Sequence, residues 1–196
     1  MPGSFGGAPS ETPVYERCAP GCCDAGDGLQ ATILADSVQG FSATQGKCGW
    51  SFGYLPLGLE PFTLLPLYDA AGEAGPAWKV STSPPPWLAI SSTEQHPRTP
   101  PLALVDRRWT STVSGSIAMR GHVARAAAVA GGDGTVASIR VAGVEVWRKQ
   151  LAFDDTAGGN FELTSEVEVG TTLDFIVAPG GNEAYDATTF TAKISR

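Results

Sequence analysis

With 196 residues, 42% of them hydrophobic, the chain is long enough to bury one core and does not have the composition of a disordered polypeptide. Its formal net charge of −7 and the lack of clustered lysine and arginine argue against binding to nucleic acid or to an anionic membrane surface. No apolar run approaches the roughly 18 residues of a membrane span, and no signal peptide is visible at the start of the sequence.

The four cysteines, Cys18, Cys22, Cys23 and Cys48, favour disulfide bonds over a metal site. Neighbouring residues rarely satisfy disulfide geometry, so we expect Cys48 to bond to Cys22 or Cys23, with Cys18 taking the other. A zinc site is disfavoured because the CxxxCC spacing lacks a CxxC pair and no histidine lies nearby. Disulfides form in oxidising compartments, so we expect an extracellular or cell-surface location.

Regular alternation of apolar and polar residues begins only after a Gly-, Pro- and Cys-rich beginning. We predict an N-terminal arm over 1–28 and a single β-sandwich domain over 29–196. The alternation predicts strands over 29–36 and 38–44.

A third strand precedes a proline-rich segment. Trp50, Phe52 and Tyr54 share one face of this strand, because side chains repeat every second residue. From Pro56 to Pro101 the repeated prolines exclude long helices and central strands. Only short strands are expected there, at 62–69, 76–82 and 87–92.

After residue 101 strands and turns alternate almost without interruption. Two strands are separated near Ser114 and Gly115, and a hairpin turns at Ala142 and Gly143, where glycine permits the backbone conformation. The alanine-rich 124–130 is expected to continue a strand or form one turn at most. Other strands are predicted at 136–141, 143–150, 166–170, 171–179 and 187–195. This spacing indicates an all-β fold, an antiparallel β-sandwich or jelly roll with long Pro/Gly-rich loops and little or no helix.

An ordered series of short motifs runs from about residue 38 to the end. It comprises FSATQG, WSFGY, HP, RRWTS with SGSIAMRG, GGDG, AGVEVW and VEVGTTLDFIVAPGGN, and closes with Asp186, Thr188 and Phe190 as D-x-T-x-F. In this the chain resembles non-catalytic β-sandwich modules of secreted bacterial proteins, of the galactose-binding-like or carbohydrate-binding-like type. The resemblance covers roughly 38–196. It implies a carbohydrate-directed module and a structural calcium ion.

Two patterns that could indicate a hydrolase have simpler explanations. Ser51 lies in a G-x-S-x-G match, with Asp69 and His96 following in the order of a catalytic triad, but the residues after it cannot open the helix that a nucleophile elbow requires. Glu166 and Glu168 share a strand face, yet they alternate with valines as on a solvated outer face. We therefore expect no catalytic residues and no enzyme.

Oxygen-bearing turns are the candidates for the calcium ion. Calcium takes six to eight oxygen ligands from loop carboxylates and carbonyls. Asn182 and Asp186 are the preferred ligands, with Asp133 of the Gly-Asp-Gly turn as a third. Turn chemistry explains Asp-Gly equally well.

Aromatic residues in loop-like segments are the candidates for a sugar ligand. Sugars stack their C–H faces on exposed aromatic rings, and Trp78, Trp87 and Tyr185 have this context. Trp50, Trp109 and Trp147 lie in alternating strands and are predicted to be core residues.

The sequence therefore favours a secreted, non-catalytic module that binds polysaccharide or glycan. The alternative is a structural or assembly subunit of a surface layer, filament or appendage, with homo-oligomer contacts through the N-terminal arm. A hydrolase is the third hypothesis.

Overall fold

Two antiparallel β-sheets packed face to face form the part of the chain that the computed structural model describes, residues 32–72, 75–81 and 88–196. The strands are β1 (Ile33–Asp36), β2 (Trp50–Pro56), β3 (Thr63–Leu64), β4 (Leu67–Asp69), β5 (Ala77–Lys79), β6 (Ala89–Ser91), β7 (Glu94–His96), β8 (Ala103–Thr110), β9 (Gly115–Arg125), β10 (Thr135–Val141), β11 (Val144–Leu151), β12 (Gly159–Val167), β13 (Thr172–Pro179) and β14 (Thr188–Ser195). A single 3-10 turn, Lys47–Gly49, is the one helical element among the described residues. The predicted antiparallel β-sandwich is confirmed.

The two sheets differ in size and in strand order. The larger sheet has eight strands in the order β12-β9-β14-β7-β6-β5-β4, and β1 also pairs with β14. The smaller sheet has six strands in the order β11-β10-β13-β8-β2-β3. Long central strands therefore come from the C-terminal half, while the proline-rich middle supplies only the short strands β3 to β7, as the prolines predict.

Aromatic rings from both sheets meet in the core. Phe161 and Phe190 of the larger sheet contact Phe175 of the smaller one, with ring centroids 6.5 Å and 5.7 Å away. Trp50 and Trp109 pair across β2 and β8, and each is 1% exposed or less. Trp147 is partly buried and packs on Phe161 and Phe190, with ring centroids 5.4 Å and 6.4 Å away. The prediction that the strand tryptophans belong to the core is confirmed for Trp50 and Trp109, and Trp147 packs against that core.

A buried arginine joins the two sheets. Arg107 of β8 is fully buried, and its guanidinium donates to the carbonyl oxygens of Ser91 (2.7 Å), Ser92 (3.0 Å) and Ser37 (3.3 Å). Burial lowers the pKa of Arg107 to about 9, although the Asp36 carboxylate opposes the shift. The side chain stays charged at neutral pH and gives these carbonyls a strong donor.

Two predicted strands are wrong, and local hydrogen bonds explain both. At 38–44 the chain turns instead, because Asp36 Oδ1 accepts the backbone N–H groups of Val38 and Gln39. At 166–170 the strand β12 already ends at Val167; Thr171 Oγ1 then accepts the Glu168 N–H and Gly170 has a φ of 91°. Both turns use side-chain acceptors that compete with strand pairing.

The hairpin at Ala142 and Gly143 is confirmed, with φ angles of 49° and 80°. So is the break before Gly115, where β9 begins. The predicted arm over 1–28 lies outside the described residues. Within the described part of the chain, no helix has the length and apolar character needed to cross a membrane.

Candidate functional site

A cleft of about 800 Å³ opens on the outer face of the larger sheet, where β1, β14 and β9 lie side by side. Its volume falls within the roughly 300–1,000 Å³ typical of small-molecule sites. The polar side chains that line it are Asp36, Gln39, Arg120, His122, Thr191, Lys193 and Ser195.

Strand register places four charged side chains in one row across this face. Asp36 lies opposite Lys193, Lys193 opposite Arg120, and Arg120 opposite Glu162. The outer pairs form salt bridges, 3.3 Å between Lys193 Nζ and Asp36 Oδ2 and 2.6 Å between Arg120 Nη2 and Glu162 Oε1. From β1 to β12 the row therefore reads negative, positive, positive, negative.

A second row of polar groups lies beside the first. Thr191 lies opposite His122, which lies opposite Asn160. His122 Nδ1 and Asn160 Oδ1 are 2.8 Å apart. Because an amide oxygen only accepts, the imidazole donates through Nδ1, and Nε2 remains for another partner.

The turn after β1 forms one wall of the cleft. Asp36 is only 5% exposed, and the two N–H groups that its Oδ1 accepts bend the chain outward at Val38 and Gln39, whose side chains are exposed. Ser37 anchors the turn, since its N–H donates to the Ala192 carbonyl and its Oγ accepts the Ala192 N–H, both at 2.9 Å. The wall is thus held in place by backbone bonding to β14.

The predicted aromatic ligands do not gather at this cleft. Trp78 is corrected to a core residue: it lies on β5, is 7% exposed, stacks on Phe52, and donates from Nε1 to the Ser42 carbonyl at 2.9 Å. Trp87 lies outside the described residues. Tyr185 is 55% exposed, as predicted for a loop aromatic, but it lies beside Gly131 at one end of the sandwich and does not line the cleft.

The residues predicted to bind calcium do come together near Tyr185, but other partners already engage most of their side-chain oxygens, Asp186 Oδ2 being buried without a hydrogen-bond partner. Asp133 Oδ2 accepts the N–H groups of Gly181 and Asn182, and Asn182 Oδ1 accepts the Ala184 N–H. Asp186 is fully buried, and its Oδ1 is 3.2 Å from Arg125 Nη1.

Arg125 therefore supplies the positive charge next to Asp186. Burial raises the pKa of Asp186 to about 7, while the Arg125 guanidinium acts in the opposite direction. No group of three or more His, Cys, Asp or Glu side chains in the described part of the chain could hold a metal ion. These residues do not fit a calcium site as they stand, and the calcium ion stays a prediction.

The structure also contains a buried acidic pair that sequence reasoning missed. Asp106 is fully buried on the outer face of the smaller sheet, and neither carboxylate oxygen has a hydrogen-bond partner. Its neighbour Asp174 is 2.5 Å from Arg108 Nε, and Arg108 also pairs with Glu60 at 2.9 Å. Burial, with the Asp174 charge adding to it, raises the pKa of Asp106 well above its usual value. Burial likewise raises the pKa of Asp174.

Alternation along β8 would have placed Asp106 on a solvated face. The loop between β2 and β3 prevents this, because its Phe62 lies over Gly53 and against the Arg108 guanidinium, 4.2 Å from the ring centre. Gly53 is the strand partner of Asp106. The one signal in the sequence is the Asp-x-Arg spacing of Asp106 and Arg108 on one face of β8.

The positions of Ser51, of the two glutamates and of Cys48 bear on the remaining sequence predictions. Ser51 lies within β2 and not on a strand-to-helix elbow, so the expectation that it is not a nucleophile agrees with its position. Glu166 and Glu168 are exposed, as expected of a solvated face. Of the four cysteines only Cys48 is described; it is not a free thiol, and its predicted partners lie outside the described residues.

No family model and no curated protein matches this chain. The solved structures similar to it are mainly carbohydrate-binding modules. CBM51 from Clostridium perfringens GH95, in complex with methyl-galactose, is 11% identical over 73% of this chain and 99% of that chain, with a TM-score of 0.40. The CBM51-2 and INT domains of Clostridium perfringens ZmpB are 10% identical over 52% of this chain and 21% of that chain, with a TM-score of 0.37.

An enzyme is also similar at this level. The Stig cyclase Fisc from Fischerella sp. TAU is 11% identical over 85% of this chain and 98% of that chain, with a TM-score of 0.36. Carbohydrate-binding modules, the type of module that the sequence resembles, are thus among the structures similar to this chain. Similarities of this size assign no ligand to the chain.

Proposed function

We propose that this protein is a secreted, non-catalytic module that binds carbohydrate in the cleft over β1, β14 and β9. The observation that carries the proposal is the density of hydrogen-bonding groups there: a carboxylate, an ammonium, a guanidinium, an imidazole, an amide and a hydroxyl line one cleft of about 800 Å³. Each sugar hydroxyl donates and accepts, so a glycan needs donors and acceptors set close together. Two adjacent polar rows on neighbouring strands meet that need.

Apolar side chains complement these groups. Ile33 and Val38 line the cleft on the β1 side, whereas Ala192, which lies between the polar rows, faces the core. Aliphatic side chains cover the C–H faces of a sugar ring, although without the energy of an aromatic stack. We therefore expect modest affinity for one sugar unit and tighter binding to a polymer.

The charge arrangement favours binding over catalysis. Glycoside hydrolysis uses two carboxyl groups that flank the scissile bond. Among the described residues, Asp36 is the one carboxylate that lines the cleft, and it already accepts two backbone N–H groups and faces Lys193. A carboxylate so engaged is suited to positioning and not to proton transfer.

Export is part of the proposal. The four cysteines support an oxidising compartment, and Cys48 is not a free thiol. Mass spectrometry of the intact, alkylated protein tests this, with an unmodified mass expected; labelling of all four cysteines in protein from its native source would count against it.

Affinity electrophoresis against a panel of neutral and acidic polysaccharides tests the binding function. Gln39→Ala removes an exposed amide from the cleft wall, and Gln150→Ala removes an exposed amide from β11 on the other sheet as the matched control. We expect Gln39→Ala to weaken binding about three- to tenfold, the value of one hydrogen bond, and Gln150→Ala to leave it unchanged. Retardation by no polysaccharide, or equal effects of both variants, would reject the proposal.

An exposed apolar patch favours a second candidate, an assembly subunit. Leu57 (65%), Leu59 (66%), Leu64 (48%) and Leu102 (38%) are all exposed around the loop between β2 and β3. The Leu57 N–H donates to the Leu102 carbonyl at 2.9 Å, so these two residues are adjacent. Contiguous apolar surface on a soluble domain is often an interface. Sedimentation that shows a monomer at high concentration would contradict assembly.

A further inference from the structure

The two cations at the centre of the charged row lie next to each other, although like charges repel. Lys193 and Arg120 lie directly opposite each other on β14 and β9, with side chains 63% and 62% exposed. Like charges directly opposite on neighbouring strands destabilise a sheet. An anion between them would relieve this repulsion.

Both cations have donors left for such an anion. Lys193 has one carboxylate contact, with Asp36, and Arg120 has one, with Glu162. An ammonium carries three donors and a guanidinium five. The Asp36 and Glu162 carboxylates lie on the outer sides of the two cations, so neither carboxylate lies between them.

The local charge of the cleft differs from that of the protein. The charged row of Asp36, Lys193, Arg120 and Glu162 is neutral in sum, with its two cations adjacent at the centre, whereas the whole chain carries −7. A negatively charged ligand would therefore be repelled less here than by most of the surface, and it would meet two adjacent cations.

We propose that the cleft recognises an acidic sugar, a glycan unit whose carboxylate bridges Lys193 Nζ and the Arg120 guanidinium. The planar guanidinium matches a carboxylate in shape, and the ammonium adds a second, adjacent charge. His122 Nε2 and Gln39 then lie beside the ring hydroxyls. This inference rests on the proposed carbohydrate-binding function and specifies its ligand class.

The experiment compares uronate polymers with the same polymers after their carboxyl groups are reduced to hydroxymethyl groups. Polygalacturonate, alginate and glucuronoxylan serve as probes, each beside its reduced form and beside a neutral and a sulfated polysaccharide, at low and high salt. We expect binding to at least one uronate, lost on reduction and weakened by salt.

Arg120→Gln and Lys193→Gln remove the two cations one at a time. Arg148→Gln is the matched control, because Arg148 is also exposed on a strand and also pairs with a glutamate, at 3.4 Å, but on the other sheet. We expect each cleft variant to weaken uronate binding about tenfold or more, the control to bind as the unmodified protein does, and all three to keep the same melting temperature within a few degrees.

Each other outcome has a definite meaning. Binding to reduced or neutral polymers as tight as to the uronates, with no effect of Arg120→Gln or Lys193→Gln, overturns the acidic-sugar inference; the proposed function stands in that case if Gln39→Ala still weakens the binding. Tighter binding to sulfated than to uronate polymers overturns the carboxylate assignment. Binding to no polysaccharide of either kind rejects both the inference and the proposed function.

Discussion

Replacing Asp106 with asparagine is expected to stabilise the protein at neutral and alkaline pH. The carboxyl group is fully buried, its oxygens have no hydrogen-bond partner, and Arg108 Nη2 is 3.8 Å away, beyond hydrogen-bond distance. Burial and the Asp174 charge raise the pKa of Asp106, so the folded protein favours the neutral acid. Asparagine has nearly the same shape and no charge to bury.

The sign of the pH effect follows from this raised pKa. Below the pKa of the unfolded chain, the carboxyl group is protonated in both states and the substitution has little effect. As pH rises toward the folded pKa, the unfolded state gains by ionising while the folded state cannot, so the unmodified protein loses stability and the variant does not. Each unit by which the folded pKa exceeds the unfolded one corresponds to about 1.4 kcal/mol once the unfolded chain ionises. Because the pKa of Asp106 is raised well above its usual value, we expect a gain of about 1 kcal/mol or more in the free energy of unfolding at pH 8.

Urea denaturation, followed by the fluorescence of the buried tryptophans, measures this gain at pH 4, 6 and 8. Asp154→Asn, at an exposed position, is the control with the same change in formal charge. A variant that is no more stable than the unmodified protein at pH 8, or a gain that is the same at every pH, would refute the argument from desolvation. Asp106→Leu should give the same trend if charge burial is the cause.

Other changes probe the remaining structural claims. Arg107→Met should lower the free energy of unfolding by about 3 kcal/mol or more, because several carbonyl oxygens lose a charged donor; a urea midpoint near that of the unmodified protein would contradict this. Trp78→Phe should leave glycan binding unchanged and lower stability by about 1–2 kcal/mol, the cost of an unpaired carbonyl, whereas a loss of binding at unchanged stability would restore Trp78 as a ligand residue. Gly121→Ala should impair folding, since its Cβ would lie 2.0 Å from a carbonyl oxygen of β14, and a normal yield and melting temperature would show that the strands can separate. Chelation with EDTA should leave the melting temperature unchanged because Arg125 neutralises Asp186, and a rise on adding calcium would support the calcium prediction.

Much of the fold could be predicted because strand periodicity and turn chemistry act locally. The hairpin at Ala142 and Gly143 needs only two residues with positive φ, and both are adjacent in the sequence. The aromatic core was predictable for the same reason, since Trp50 and Trp109 alternate with polar residues on their own strands. Local signals were wrong where a side chain replaced a strand partner, as Asp36 does at the turn after β1.

The candidate site residues were harder to predict, because the loop-like composition of a segment does not determine whether its side chains are exposed. Trp78 has prolines nearby in the sequence, yet it lies on a strand, and Phe52 and Tyr68 cover its ring. Conversely, Asp106 occupies an outward position on its strand and is nevertheless buried under a loop. In both cases burial depends on contacts between segments that the sequence does not place together.

The cleft follows from the order of strands and not from any motif. Asp36, Lys193, Arg120 and Glu162 are far apart in the chain, and each taken alone is an ordinary surface charge. They form a row only because β1, β14, β9 and β12 are neighbours and because the registers align these four positions. A shift of one residue in the pairing of β9 with β14 would turn Arg120 away from Lys193 and toward the core. Gly121 contributes to this register, since its close approach to the Thr191 carbonyl excludes any side chain at that position. The same contact that fixes the pairing of the strands therefore also fixes the two cations side by side at the mouth of the cleft.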